Sequence, residues 1–293
     1  MTATSPADRL RSGIASLSAP PTGRRGDTSD LSVDEVLLLH AAGWEPAGLV
    51  YGMSEAAIPP GTFWALGAGG APQHIGIATS AVASAFEWAI QKLHHACSQE
   101  EGAGVVGVEV EFEMAPHHVT VQLTGSAIRR TSTGSSHTSH TSHTSRSGAQ
   151  GAGSDPFLSD LSARDFTLLA RTGWVPTSLA YGMGFVNVPR RRASKALSQA
   201  GQNVELEAYT QGLYVARESA LAGLQHVAAT SGAHGVVGVD IEEGPLPFAR
   251  HVIGFRCWGT AVRLSVENHE ILNPGLVIEL DDPVVEFAAG SLR

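Results

Sequence analysis

Two short strings decide the fold: GAGVVGVEVE at Gly102–Glu111 and GAHGVVGVDIE at Gly232–Glu242. With His234 set aside as one inserted residue, they agree at eight of ten positions, and the other two pairs are Glu/Asp and Val/Ile. In the first, Val106, Val108, Val110, Phe112 and Met114 alternate with Gly107, Glu109, Glu111 and Glu113. Apolar residues at every second position predict a strand with one face on a core and the other in water. Val237, Val239 and Ile241 repeat the pattern in the second. Gly107 and Gly238 have no side chain to pack, so a close approach to the backbone is expected there.

The surroundings of the two strings also match. GWEPAGLVYGM (Gly43–Met53) and GWVPTSLAYGM (Gly173–Met183) agree at seven of eleven positions, and TGSAIR (Thr124–Arg129) is similar to WGTAVR (Trp258–Arg263). Three matches in one order, about 130 residues apart, predict a duplicated unit. Ser32 with Glu35, and Ser162 with Asp165, have the spacing of a helix N-cap. Gly43 and Gly173 stand where a left-handed helix stop is expected, and a strand follows each. A 3.6-residue apolar stripe runs through Val82, Ala85, Phe86, Ala89, Leu93 and Ala96. Tyr209, Gly212, Leu213, Ala216, Ala220, Gly223, Leu224 and Val227 form its counterpart. Each long helix leads into a quoted string, and a return strand follows: Val119, Val121 and Leu123, or Ile253, Phe255 and Cys257. The hairpin turns are expected near Pro116 and Pro245–Pro247.

The expected fold is therefore α+β: two homologous units, each an N-terminal helix, a strand, a long helix and an antiparallel hairpin packed on that helix. The first spans residues 31–130 and the second 158–265. Residues 131–157, rich in Ser, Thr, His and Gly, lack the large apolar residues a core needs and read as a flexible linker. Residues 1–30 read as disordered in the same way. The tail 266–293 has two short β-branched runs that leave strand or loop open.

The net charge of −9 argues against nucleic-acid binding through phosphate contacts. Two cysteines without a CxxC exclude a cysteine zinc site and fit a reducing, cytoplasmic setting. Residues 56–86 carry no Asp, Glu, Lys or Arg, but Pro59, Pro60, Gly67, Gly69, Gly70 and Pro72 interrupt any run long enough to cross a bilayer, so no membrane partner is expected.

Glu109, Glu111 and His117, repeated as Asp240, Glu242 and His251, carry the chemistry that binds a borderline divalent metal such as Zn, Ni or Cu. Strand parity opposes it: the carboxylates share the polar parity, the histidines the apolar one, so a solvated acidic face is the stronger expectation. His137, His140 and His143 in the linker offer an alternative metal tract, although a low-complexity spacer is the simpler expectation. His94 and His95 are adjacent on a helix and diverge, so they do not chelate as a pair. GAGG at Gly67–Gly70 fails both the dinucleotide and the P-loop patterns. No HExxH, GxSxG or nucleophile–base pair occurs, so no catalytic residue is expected. Trp44, Tyr51, Trp174 and Tyr181 recur as aromatic anchors of a core or an interface, more than as a ligand slot.

Tyr214–Arg263 resembles the YbjQ-like proteins, labelled heavy-metal-binding. The resemblance rests on Ala216-Arg217-Glu218-Ser219-Ala220, on Gly232–Val239 and on Gly259-Thr260-Ala261-Val262. The first unit departs from it, with Phe86 in place of the arginine and Gly125-Ser126-Ala127-Ile128 as its closing strand. The resemblance implies small dodecin-like β-α-β-β domains that assemble into five-fold rings, with two rings stacked or the two units alternating in one. No ligand set carries over from it. The expectation is a non-enzymatic, cytoplasmic, self-associating ring protein that binds or scaffolds an unknown ligand. The alternatives are a divalent heavy-metal-binding protein and, third, a small-molecule enzyme with an interfacial site.

Overall fold

The computed structural model describes residues 29–64, 71–131, 155–189 and 207–265. In chain order the elements are α1 (Val33–Ala41), β1 (Trp44–Ala57), β2 (Gln73–His74), α2 (Gly76–Gln99), β3 (Gly104–Met114), β4 (His118–Arg130), β5 (Phe157–Leu158), α3 (Ala163–Arg171), β6 (Trp174–Asn187), α4 (Glu207–Thr230), β7 (Gly235–Leu246) and β8 (Ala249–Leu264). The α+β expectation holds: helix, strand, long helix and hairpin recur in each half. The linker histidines His137, His140 and His143, most of the first thirty residues and the tail lie outside the described residues.

The helix ends follow their local chemistry. The Ser32 side chain accepts from the Glu35 backbone while the Glu35 carboxylate accepts from the Ser32 N–H, a full capping box. Ser162 caps α3 through Asp165. Gly43 and Gly173 stop the two helices at φ +80 and +81.

Each half is one sheet with its long helix on one face. In the first, β1 and β3 flank β4 in antiparallel register, and Val50, Val119, Val121 and Leu123 meet Val82, Ala85, Ala89 and Leu93 of α2. In the second, Ala180, Val186, Ile253, Phe255 and Cys257 meet Ala216, Ala220 and Leu224 of α4. Helix and sheet approach closely at matching glycines. A Cβ on Gly52 would lie 2.7 Å from the Leu93 nitrogen, and one on Gly182 would overlap the Ala220 carbonyl oxygen.

The quoted strands depart from the expected alternation. Both carry a bulge, between Val106 and Glu109 and between Val237 and Asp240. Gly107 and Gly238 turn it at φ +62 and +66, a conformation that suits glycine. Two residues oppose one across a bulge, so side-chain parity flips there. Val105 and Val108 face α2, whereas Val106, expected with Val108, joins a separate cluster with Trp44, Ile128 and Phe166.

The sheets exchange strands. Their orders are β1-β4-β3-β5 and β2-β6-β8-β7, so β5 of the second half extends the first sheet and β2 of the first half extends the second. Phe157, assigned to the linker from sequence, is instead a buried strand residue. No described helix is long and apolar enough to cross a membrane.

Candidate assembly interface

Among the described residues the junction between the two halves is built from three layers. In the first, the segment Phe157–Leu161 lies along the edge of β3. Ser159 N–H donates to the Val105 carbonyl at 3.0 Å, Val108 N–H to the Ser159 carbonyl at 3.0 Å, and Gly107 N–H to the Leu161 carbonyl at 2.8 Å. The bulge at Gly107 turns its N–H toward this neighbour, which is the backbone approach expected from the sequence. Asp160 of the same segment is tied back to its own half: its N–H donates to Thr260 Oγ1 at 3.1 Å, and the Thr260 hydroxyl donates to its carboxylate. The matching tie in the first half runs from Asp30 N–H to Ser126 Oγ, also 3.1 Å.

The second layer is aromatic. Phe157 stacks on Phe166 with centroids 5.4 Å apart, and both meet the Trp44 ring edge-on at 5.9 and 5.5 Å. The Arg130 guanidinium covers Trp44 at 4.1 Å. In the third layer α2 lies over the outer face of β6. Leu179, Met183 and Phe185 are buried there with Val82 and Phe86. Phe86 stacks on Tyr181 at 5.0 Å, and burial, with the Glu87 charge added, pushes the Tyr181 phenol up to about 12. Arg256 of β8 sits 4.1 Å over the Phe112 ring of β3.

The expected metal ligands are dispersed. Glu109 and Glu111 are exposed on β3, and His117 is exposed at the hairpin turn, where its carbonyl accepts from Ile58 N–H. Glu242 is paired with Arg256 at 2.7 Å. His251 donates its Nε2–H to the Phe63 carbonyl at 2.8 Å. Asp240 lies beyond the β7 bulge and adds its charge to the environment of Asp160. No group of three or more His, Cys, Asp or Glu side chains that could hold a metal forms among the described residues. The two cysteines are free and buried, and burial raises the thiols of Cys97 and Cys257 to about 12 and about 11.

A cleft of about 440 Å³ opens where the tip of the second hairpin meets the first half, lined by Phe63, Trp64, Pro116, Phe248, Arg250 and His251. Among the described residues its lining includes no carboxylate, thiol or hydroxyl nucleophile. Phe157 and Asp160 are the junction residues that the sequence did not single out. The repetition of Asp30-Leu31-Ser32 as Asp160-Leu161-Ser162 was the available signal.

Comparison with known proteins agrees with this architecture. Residues 194–265 match the YbjQ family, described as "Putative heavy-metal-binding". The chain is also 30% identical, over 257 residues, to a Mycobacterium tuberculosis protein named "Encapsulin nanocompartment protein Rv1762c"; the match covers 87% of this chain and 92% of that protein. The motif residues of the second half and the family match agree: residues 194–265 are a YbjQ-family domain, and the chain as a whole belongs to the family of that Mycobacterium tuberculosis protein.

Proposed function

We propose that this chain is a non-enzymatic building block of a self-associating assembly, a ring-forming protein that scaffolds or binds rather than transforms its ligand. The observation that carries this reading is the junction. The largest investment of buried aromatic and apolar side chains outside the two helix–sheet cores goes into joining one unit to the next. A catalytic protein would be expected to concentrate polar groups in a cleft, and the described residues that line the cleft between the hairpin tip and the first half include no acid–base pair. The relative's name refers to a nanocompartment, and an assembly role alongside compartment components suits units that stack head to tail.

Native mass spectrometry and light scattering of the intact chain at micromolar concentration test this. Discrete multiples of the 30.5 kDa chain are expected. A monomer at every concentration would overturn it.

A further inference from the structure

The junction has two sides, and each half carries both. The receiving side on the first half is the edge of β3 and the outer side of α2. The inserting side on the second half is the segment Phe157–Leu161, the outer face of α3 and the outer face of β6. Within one chain each side is used once, which leaves an unused inserting side on the first half and an unused receiving side on the second.

Exposure shows the imbalance. Ala163, Thr167, Leu179 and Met183 of the used inserting side are 0, 2, 1 and 4% exposed. Their counterparts 130 residues earlier, Val33, Leu37, Leu49 and Met53, are 76, 62, 46 and 46% exposed. Tyr51, counterpart of Tyr181, is 70% exposed. On the receiving side Val108 is 4% exposed and its counterpart Val239 is 39%. Most of the large apolar side chains exposed among the described residues fall on these two unused sides. Contiguous exposed apolar patches of this kind mark interaction surfaces.

We propose that a second copy of this chain docks through this same junction, its first half inserting against the second half of the copy before it. The proposal rests on the assembly reading above and specifies its contact. Transposing the observed hydrogen bonds gives the new ones. Gly238 N–H donates to the Leu31 carbonyl of the incoming copy, Val239 N–H to its Ser29 carbonyl, and its Ser29 N–H to the Val236 carbonyl. The outer face of β1, with Leu49, Tyr51 and Met53, covers α4. There Arg217 occupies the position of Phe86, so the Phe86–Tyr181 stack becomes a guanidinium on the Tyr51 ring, which keeps an attraction. The exposed Arg217 of the recognised motif thereby gains a role.

The two patches differ, so one contact cannot be satisfied reciprocally in a two-fold dimer. Each added copy brings a new free side, and the series ends only by closing into a ring.

Two blocked variants test this. Ile241→Arg spoils the receiving side and Tyr51→Glu the inserting side; both positions are more than half exposed, so the monomer fold tolerates them. Leu49→Glu and Val239→Lys form a second pair, should either of the first alter the thermal transition. Each variant alone is expected to be monomeric by native mass spectrometry. Their mixture is expected to give a 1:1 dimer and nothing larger, because each retains the side the other lacks. Parent-like assemblies of the single variants would overturn the contact while leaving self-association standing. Monomeric variants that fail to pair when mixed would overturn the head-to-tail geometry. A monomeric parent would overturn both this contact and the assembly reading.

Discussion

Asp160 shows how one residue records the docking of the halves. Its backbone belongs to the segment that runs along β3, while its carboxylate is turned back toward Thr260 of its own sheet. Burial pushes the carboxyl up to about 6; the Asp240 charge adds to the rise, and the hydrogen bond donated by Thr260 opposes it. In the unfolded chain an aspartic acid titrates near pH 4. Between those values the folded protein holds a proton that the unfolded chain has lost. The group's contribution to stability is therefore full below the ordinary carboxylate range and is lost as pH rises through about 6. Asp160→Asn keeps an oxygen that accepts from Thr260 and removes the charge. Its thermal midpoint is expected to exceed the parent's at pH 7.5 and to fall back toward it at pH 4. Scanning calorimetry at several pH values checks this, and an advantage that grows on acidification would contradict it.

At the scale of the element, the legible and the hidden parts separate by range. Helix caps, the long amphipathic stripes and the hairpin were readable because their signals sit within one or two turns or a few alternations. Gly107 was readable as a special position, but not the parity flip it causes, because a bulge is defined by the partner strand. The two-residue β5 was not readable at all. Phe157 and Leu158 show no periodicity, and their partners, Gly104 and Val105, are about fifty residues away. The six expected metal ligands are not gathered among the described residues for a related reason: repetition marked Glu242 and His251, while their partners Arg256 and Phe63 were set by register and by the other half. Phe157 nonetheless anchors the junction, since a Cβ on Gly104 would collide with its ring. Phe157→Ala is expected to cost ~3–5 kcal/mol, as for other buried aromatic truncations. Urea unfolding measures it; a loss below ~1 kcal/mol would mean that the segment is held by its backbone bonds alone.

In the whole molecule the halves share a core. Leu179, Met183, Phe185 and Val252 come from the second half, yet they belong to the cluster built on α2 of the first. Each half's fold class was legible, but this docking was not, because β1 and β6 both carry apolar outer faces (Leu49, Tyr51 and Met53; Leu179, Tyr181 and Met183) and only one is covered within the chain. Burying side chains of this size fully is worth ~1.5–3 kcal/mol each, so the halves should hold together without a covalent connection. A chain divided between residues 140 and 141 and produced as two polypeptides is expected to co-purify as a 1:1 complex. Met183→Lys in the second piece would place a charge in the shared core, where desolvation is costly. That variant is expected to abolish co-purification. Two pieces that elute separately with the native sequence would show that the connection, and not the shared core, holds the halves in place.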